Sequence, residues 1–595
     1  MIALVALGGR TRFIRQPPPC EPCLSSASSG LSDGRTSLHA QAKSVSAGTL
    51  PGGIMRLSRF SVANHAVLEA MSVEVRDHLC IVGANDVGKS SLLRLLNLLL
   101  GATVQQLYTA LMPRDLRNAD EALLVTADFT DLSQEEAGSF PYEVHFHGTE
   151  PARLRIALEV RISEEDEKEV VIDRYFPDAG TRRSPSREQL EVIGWRYLPA
   201  NRSTTVDFMD GKNSPLRSML NAVNLGSESS TLVSLMNTFH KDLESNLALT
   251  QLRSEIAQHL SRSLPRQMDK DALALRTAVD PAEDPLHDVT LFLREDEALK
   301  SLDEQSDGLR QLMALTFFDL AQKQANVVAV DEPEMHLHAS SQRTVAGLLA
   351  ESKQQRLVVT HSPYVIQRFE PKHVLVIRHD RRAKQIAARH FTAVEKEQVA
   401  WWTPQLLEAL TARRVLVVEG LADRIVVEAA AAAKGISLDR EGVTVFALDG
   451  ADKFKHVTKI LGAAGFDADM CGLCDEDREA SWAGILQTSP TRLSEKGFFV
   501  ARKDLEHEYA AALGATVLIS VLVKEGVAQE QGLCQAANVS AASDLTNEQV
   551  ADFITSKDSR KTPAARAVAT VLTAAHVDAS ASLSGLLGFV AGTGS

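Results

Sequence analysis

The sequence predicts an α/β protein that carries two parallel-sheet domains in one chain. Three observations predict it. A glycine-rich loop, Gly83-Ala84-Asn85-Asp86-Val87-Gly88-Lys89-Ser90, stands between a short apolar run (His78 to Val82) and a helical stretch (Ser90 to Leu100). A second apolar run, Asn326 to Val330, ends in Asp331-Glu332. From Arg413 onward a new strand–helix rhythm begins, and acids recur at the carboxyl ends of its strands.

The chain has 595 residues, too many for one hydrophobic core, so about three or four domains are expected. With 44% hydrophobic and 24% charged residues it has the composition of a globular protein. A net charge of −14 argues against a surface coated for nucleic acid but leaves room for a local basic groove. Six cysteines at this length imply no disulfide framework and fit a reducing cytoplasm. No run of about 18 apolar residues is present, so no membrane span is expected. Residues 1–54 are expected to be a disordered leader, from a start codon assigned too far upstream. Residues 17–53 are rich in Pro, Ser, Gly and Ala, and Met55 stands directly before the first strand pattern.

Strand, glycine loop and helix form the setting in which G-x-x-x-x-G-K-S becomes a phosphate site. Gly83 and Gly88 let the backbone aim several N–H groups at phosphate oxygens, at the positive end of the helix that follows. Lys89 brings a cation to the β- and γ-phosphates, and Ser90 offers a hydroxyl to Mg²⁺; Asn85 and Ser91 complete the ATP-binding set. Asp331 is placed to hold the Mg²⁺ through its water shell and Glu332 to orient or deprotonate the attacking water. The next strand, Arg356 to Thr360, delivers His361 to the same edge as a sensor of the γ-phosphate.

Between these halves, residues 122–129, 153–162 and 169–176 alternate as strands, and Glu164-Glu165-Asp166-Glu167 reads as a solvated hairpin turn. Trp195 to Pro199 reads as a strand leaving the lobe. Residues 206–302 read as a compact helical insert, suited to dimerisation. Thr181-Arg182-Arg183 with Ser186-Arg187 is a small basic loop, an ordinary exposed loop before it is a phosphate contact.

In the second domain Arg413 to Val418 ends at Glu419, Met470 to Cys474 ends at Asp475-Glu476-Asp477, and Gly497 to Ala501 leads into Asp504-Leu505-Glu506. A doubly wound sheet gathers its site at such strand ends. Clustered carboxylates repel unless a divalent cation neutralises them, and oxygen ligands favour Mg²⁺ or Mn²⁺. Asp475 and Asp477, two apart on an extended segment, point the same way. The competing reading is that each acid merely caps a following helix. Cys471-x-x-Cys474 lies on a strand that points the two thiols to opposite faces, unsuited to zinc; Cys20-x-x-Cys23 lies in the leader.

Asp331-Glu332-Pro333-Glu334-Met335-His336-Leu337-His338 and Thr360-His361-Ser362-Pro363 resemble ABC-type ATPases of the SMC and RecF kind. Ser306-Asp307-Gly308-Leu309-Arg310 resembles their signature motif, with Asp307 in place of the usual glycine. The resemblance implies that Ser306 and Gly308 complete the ATP site of another subunit, and that a Gln loop, with Gln105 and Gln106 as nearest candidates, lies between. Glu419-Gly420-x-x-Asp423 and Asp475-x-Asp477 resemble the Toprim domain. A Toprim domain after an SMC-like ATPase resembles the OLD (overcoming lysogenization defect) family of ATP-dependent endonucleases, over most of residues 55–575. This resemblance implies metal ligation by Glu419, Asp423, Asp475, Asp477 and Glu506, with Lys561 stabilising charge on the scissile phosphate.

The expected organisation is an ABC ATPase at 55–205 and 303–395, the insert at 206–302, a Rossmann-like Toprim domain at 396–580 and a loose tail at 581–595. The expected function is an ATP- and metal-dependent DNA endonuclease or nickase, cytoplasmic and at least dimeric, in phage defence or DNA repair. A non-cleaving ATP-gated DNA clamp or loader is its rival, a primase or topoisomerase-like activity a weaker one. DNA sequence preference, cut geometry and any partner helicase lie beyond the sequence.

Overall fold

The structure is a computed structural model. It describes residues 55–145 and 152–200, most of 219–254, 292–301 and 304–390, and residues 403–450 and 453–592. The leader, Cys20, Cys23, Trp401 and Trp402 lie outside the described residues.

Two sheets sandwich one helix in the first half. The antiparallel sheet has the order β2-β1-β4-β6-β5, with β7 also on β6. Its strands are β1 (Arg56–Ala63), β2 (Met71–Glu74), β4 (Leu123–Thr130), β5 (Val144–His145), β6 (Arg153–Ile162) and β7 (Val170–Tyr175). The second sheet has the order β14-β13-β3-β12-β11-β8. It is built from β3 (Leu79–Gly83), β8 (Trp195–Leu198), β11 (Val327–Asp331), β12 (Gln355–Val359), β13 (Val374–Ile377) and β14 (Ala383–Gln385). All its pairings are parallel except β13 with β14. Helix α1 (Lys89–Leu100) buries leucines against both sheets. That explains its run of apolar residues on more than one face.

The acidic run 164–167 turns between β6 and β7, where Ser163 N–H donates to Glu169 O. Two other expectations need correction. Trp195–Leu198 does not leave the lobe: it pairs in parallel with β11, a long-range partnership invisible in local pattern. The insert is not helical to its end. After helix α3 (Glu228–Ser245), which follows α2 (Val104–Ala110) in our numbering, β9 (Phe292–Glu295) and β10 (Ala298–Ser301) form an antiparallel hairpin.

Helix α4 (Asp307–Ala321), the short α5 (Pro363–Ile366) and α6 (Pro404–Thr411) follow. Then comes a four-stranded parallel sheet of order β16-β15-β17-β18, from β15 (Arg414–Val418), β16 (Val443–Ala447), β17 (Met470–Asp475) and β18 (Phe498–Ala501). Helix α7 (Leu421–Ala433) covers one face, α8 (Phe454–Leu461) and α9 (Glu479–Ile485) the other, where Phe454 and Trp482 stack with centroids 3.8 Å apart. After β15 the chain builds β16 on one side and then crosses to β17 on the other. The switch point therefore falls between β15 and β17, which opens a crevice at their carboxyl ends.

Helices α10 (Leu505–Leu513), α11 (Asp558–Ala569) and α12 (Ala581–Val590) close the α7 face. The tail is thus no loose terminus as far as Val590: Leu583, Leu586, Leu587 and Val590 are buried in that core. Helix α6 lies between the two halves, packed on β3, α5 and β16. Its Leu406, Leu407, Ala409 and Leu410 share one apolar core with Val82, Ile366, Val417 and Phe454. Among the described residues no single helix is long and apolar enough to cross a membrane.

Candidate active sites

The phosphate loop hangs between β3 and α1. Gly83 (φ 155°) and Gly88 (φ 100°) hold conformations that a side chain would strain. A Cβ at Gly83 would also lie 2.3 Å from Ile377 O, and one at Gly88 2.6 Å from Leu68 Cδ2. Lys89 is buried, and its Nζ donates to Ala84 O at 2.5 Å inside the loop. Burial pulls its ammonium down to about 8 despite Glu332 and Asp331 nearby, so the site rewards an incoming anion. Ser90 Oγ donates to Asp331 Oδ1 at 3.2 Å, and Tyr197 OH to Asp331 Oδ2 at 3.5 Å. Burial raises the Asp331 carboxyl. These residues fit a nucleotide with its cation: a glycine cradle, a buried amine, and a hydroxyl–carboxylate pair. Asn85 is exposed in the loop and Ser91 half-buried on the first turn of α1.

Glu332 has a left-handed backbone (φ 46°), uncommon for a residue with a side chain. Its Oε1 lies 3.6 Å from His361 Nε2. Burial and Lys89 lower the His361 imidazole. The loop that carries His361 is fastened by Glu334, whose role no periodicity signals. Glu334 Oε1 accepts from Thr360 Oγ1 (2.7 Å), His361 N–H (2.7 Å) and Ser362 N–H (3.2 Å). Its Oε2 is buried without a hydrogen-bond partner among the described residues, and burial raises its carboxyl. The Asp-Glu-Pro-Glu string held the signal, since a fourth-position acid one turn beyond Asp331 reaches the same strand edge.

Ser306 caps α4, its Oγ accepting from Leu309 N–H at 3.4 Å. Asp307 pairs with Arg310, and Gly308 lies against His336 O. Among the described residues no hydrogen bond ties Ser306 or Gly308 to the glycine loop of the same chain. Gln106 is spent on a cap, its Oε1 accepting from Thr103 N–H at 2.8 Å, and Gln105 is exposed on α2. Arg182 pairs with Glu159 and Asp173, and Arg183 with Glu143, so acids of this chain engage the basic loop.

The second site fills the crevice between β15 and β17. Glu419 follows β15, and its Oε1 accepts from Asp475 N–H at 2.9 Å. Asp475 ends β17, and its Oδ1 accepts from Leu505 N–H at 3.2 Å, which ties in the start of α10. Asp477 stands on a 3-10 turn (Glu476–Arg478) rather than on extended chain, because the strand ends at Asp475. Even so, Glu419, Asp475 and Asp477 present oxygens all within 4.8 Å of one another. Asp423 caps α7, its Oδ2 accepting from Gly420 N–H at 2.9 Å. Glu506 is buried, with Lys561 Nζ 3.7 Å from its Oε1. Lys561 lies in the first turn of α11.

Charge crowding is severe here. Burial, then Glu419, Asp423 and Glu506, push the Asp475 carboxyl up to about 8. Burial and Glu506 push Asp423 up to about 7. Burial also raises Glu419 and Glu506. Burial works to lower Lys561, but Glu506, Asp475 and Asp423 outweigh it and raise the ammonium. Nearby, Tyr509 OH is buried without a hydrogen-bond partner among the described residues. An all-oxygen donor set this crowded fits a hard divalent cation. Sequence pattern alone missed Tyr509 and also His507, whose ring sits between Asp504 Oδ1 (2.5 Å) and Asp552 Oδ1 (3.1 Å). Cys471 and Cys474 are free, buried, and belong to the cores on opposite faces of the sheet.

A phosphate loop on one parallel sheet and a carboxylate crevice on another define the chain as a P-loop ATPase joined to a TOPRIM domain, an enzyme. Residues 79–367 match the AAA domain family AAA_21, whose description also names the AbiEii toxin and Type IV TA system. Residues 410–477 match the TOPRIM domain of overcoming lysogenization defect protein-like chains. In this pair of domains the chain is similar to OLD-family proteins. The OLD nuclease of Thermus scotoductus is 26% identical over 406 residues, 62% of this chain and 72% of that one. Endonuclease GajA of Bacillus cereus is 21% identical over 399 residues, 63% of this chain and 67% of that one. Among solved structures, the C-terminal region of the Burkholderia pseudomallei OLD protein (24% identity) covers 31% of this chain and 98% of its own, with a TM-score of 0.26. An SMC head bound to the C-winged helix domain of ScpA (18% identity) covers 56% and 97%, with a TM-score of 0.33.

Proposed function

We propose that the protein is a divalent-metal-dependent DNA endonuclease or nickase whose cleavage is controlled by ATP binding and hydrolysis. The observation that carries it is the convergence of Glu419, Asp475 and Asp477 within 4.8 Å at the switch point, with Asp423, Glu506 and Lys561 around them. Mg²⁺ or Mn²⁺ bound there supplies charge neutralisation and Lewis-acid activation for in-line displacement at phosphorus. Glu419 and Asp475 hold ligand oxygens in fixed positions, the first anchored by Asp475 N–H and the second by Leu505 N–H. Asp477 and Asp423 complete the set, and Glu506 anchors Lys561, whose ammonium faces charge developing on the phosphate.

In the ATP site Gly83, Asn85, Gly88, Lys89, Ser90 and Ser91 bind the phosphates, Asp331 with Ser90 holds the cation, and Glu332 orients the attacking water. His361 reads the γ-phosphate, and Glu334 keeps its loop at the sheet edge. Ser306 and Gly308, at the start of α4, are proposed to close the ATP site of a second copy in a homodimer. The relatives named nucleases support DNA as the substrate. A cytoplasmic role in phage defence or DNA repair is part of the same proposal.

Supercoiled plasmid incubated with Mg²⁺ or Mn²⁺ tests the proposal. The wild type is expected to nick it, and Asp475→Ala to lose nicking while still hydrolysing ATP. Absence of wild-type nicking, or undiminished nicking by Asp475→Ala, overturns the nuclease in favour of the ATP-gated clamp.

A further inference from the structure

Beside the acidic crevice lies a second cavity, of about 580 Å³, at the free edge of β16. Its walls are α6, the start of α7 and the start of α8. Its floor is fastened to the strand that carries the acids: Leu448 N–H donates to Val418 O at 2.9 Å, and Gly450 N–H to Glu419 O at 3.2 Å. The floor strand β16 therefore lies one strand spacing from β15, about 4.8 Å.

Its lining is chemically mixed. Arg424 and Lys453 bring two cations, Glu408 and Asp449 two acceptors, and Phe446 an aromatic ring. Arg424 is braced by Glu428, which takes its Nε–H at 2.7 Å, and the guanidinium has further donors. The stem of Lys453 crosses Gly450, where a Cβ would lie 3.7 Å from Lys453 Cε. Along β16, Val445 is buried in the core under α7, so the period-2 alternation turns Thr444 and Phe446 to the α6 and α8 side. A bare anion would meet two acids there as well as two cations. A unit with a phosphate, a flat π-face and N–H groups would satisfy all three kinds of wall. The volume lies in the range of small-molecule sites.

We propose that this cavity receives one nucleotide unit of the substrate strand, with its phosphate on Arg424 and Lys453 and its base on Phe446. The proposal rests on the nuclease reading for the identity of the strand. The test uses the full chain carrying Asp475→Ala, so that binding is read without cleavage, and a fluorescent single-stranded deoxyoligonucleotide followed by anisotropy. Adding Arg424→Gln with Lys453→Gln is expected to weaken binding roughly tenfold or more and to flatten its salt dependence. Phe446→Leu is expected to weaken it less and to leave the salt dependence alone, and ATP hydrolysis is unchanged in each variant. Oligonucleotide affinity equal to the parent's in both variants overturns the proposal. So does a free deoxynucleotide monophosphate that loses binding on Arg424→Gln with Lys453→Gln while the oligonucleotide does not. Arg424-dependent binding by a wild type that never cleaves would leave the subsite standing and remove the nuclease reading.

Discussion

The phosphate loop and the acidic crevice solve opposite problems. The first is built from backbone: eight consecutive residues whose glycines turn N–H groups toward a ligand, with one buried amine. The second is built from side chains: carboxylates at the ends of β15 and β17 and on α7 and α10, which repel one another, with Lys561 of α11 beside them. A backbone site stands ready before its ligand binds. A carboxylate site is held open by its scaffold against its own charge.

The largest effects should separate the two. Asp475→Ala removes a central oxygen donor, and plasmid nicking is expected to fall by more than the roughly 10–100-fold typical of an outer-shell partner. ATP hydrolysis should stay within about twofold of wild type. Loss of both activities would break the comparison. Glu332→Gln is expected to lower the kcat for ATP about 10²-fold or more with KM little changed, because it removes proton acceptance and not phosphate binding. Glu334→Gln should be milder, with kcat down about tenfold. Its signature is faster amide exchange at His361 and Ser362, whose N–H groups it accepts.

Titration sharpens the contrast further. Asp475 is raised from 3.8 to about 8, so the metal-free fold binds more protons than the unfolded chain between those values. Its contribution to stability is complete below about pH 4 and is lost as pH rises through about 8. Mg²⁺ or Mn²⁺ should therefore raise the thermal midpoint more at pH 8.5 than at pH 6.5, read by calorimetry on wild type and on Asp475→Asn. An equal rise at both pH values would remove the crowded carboxylate as its source. The smallest effect is expected from Tyr197→Phe, which deletes a 3.5 Å hydrogen bond to Asp331 and should shift the ATPase kcat by no more than about threefold.

The same difference decides what could be read from sequence. Gly83 to Ser90 was legible because the loop is contiguous and its flanking strand and helix announce themselves within twenty residues. The acids at 419 and 475 were legible through strand ends, and Asp477 came with the wrong backbone because a strand that stops at Asp475 leaves no local mark. Trp195–Leu198 was misplaced because parallel pairing with β11 is set by distant residues. Ala581–Val590 is a packed helix and not a loose tail, because its spaced Leu583, Leu586, Leu587 and Val590 are what the core buries. Glu334, Tyr509 and the wall of the edge cavity depend on packing, and no periodicity reports them.

Helix α6 has a thermodynamic meaning as well. Since its leucines join Val82 beneath the phosphate loop to Val417 beneath the acids, neither half can melt without exposing the other's apolar surface. Ligand binding at one site then adds to the stability of both, in proportion to RT ln(1 + [L]/Kd). Nucleotide concentration becomes a reservoir of folding free energy for a crevice that charge repulsion strains, and the two halves joined by α6 are expected to unfold together.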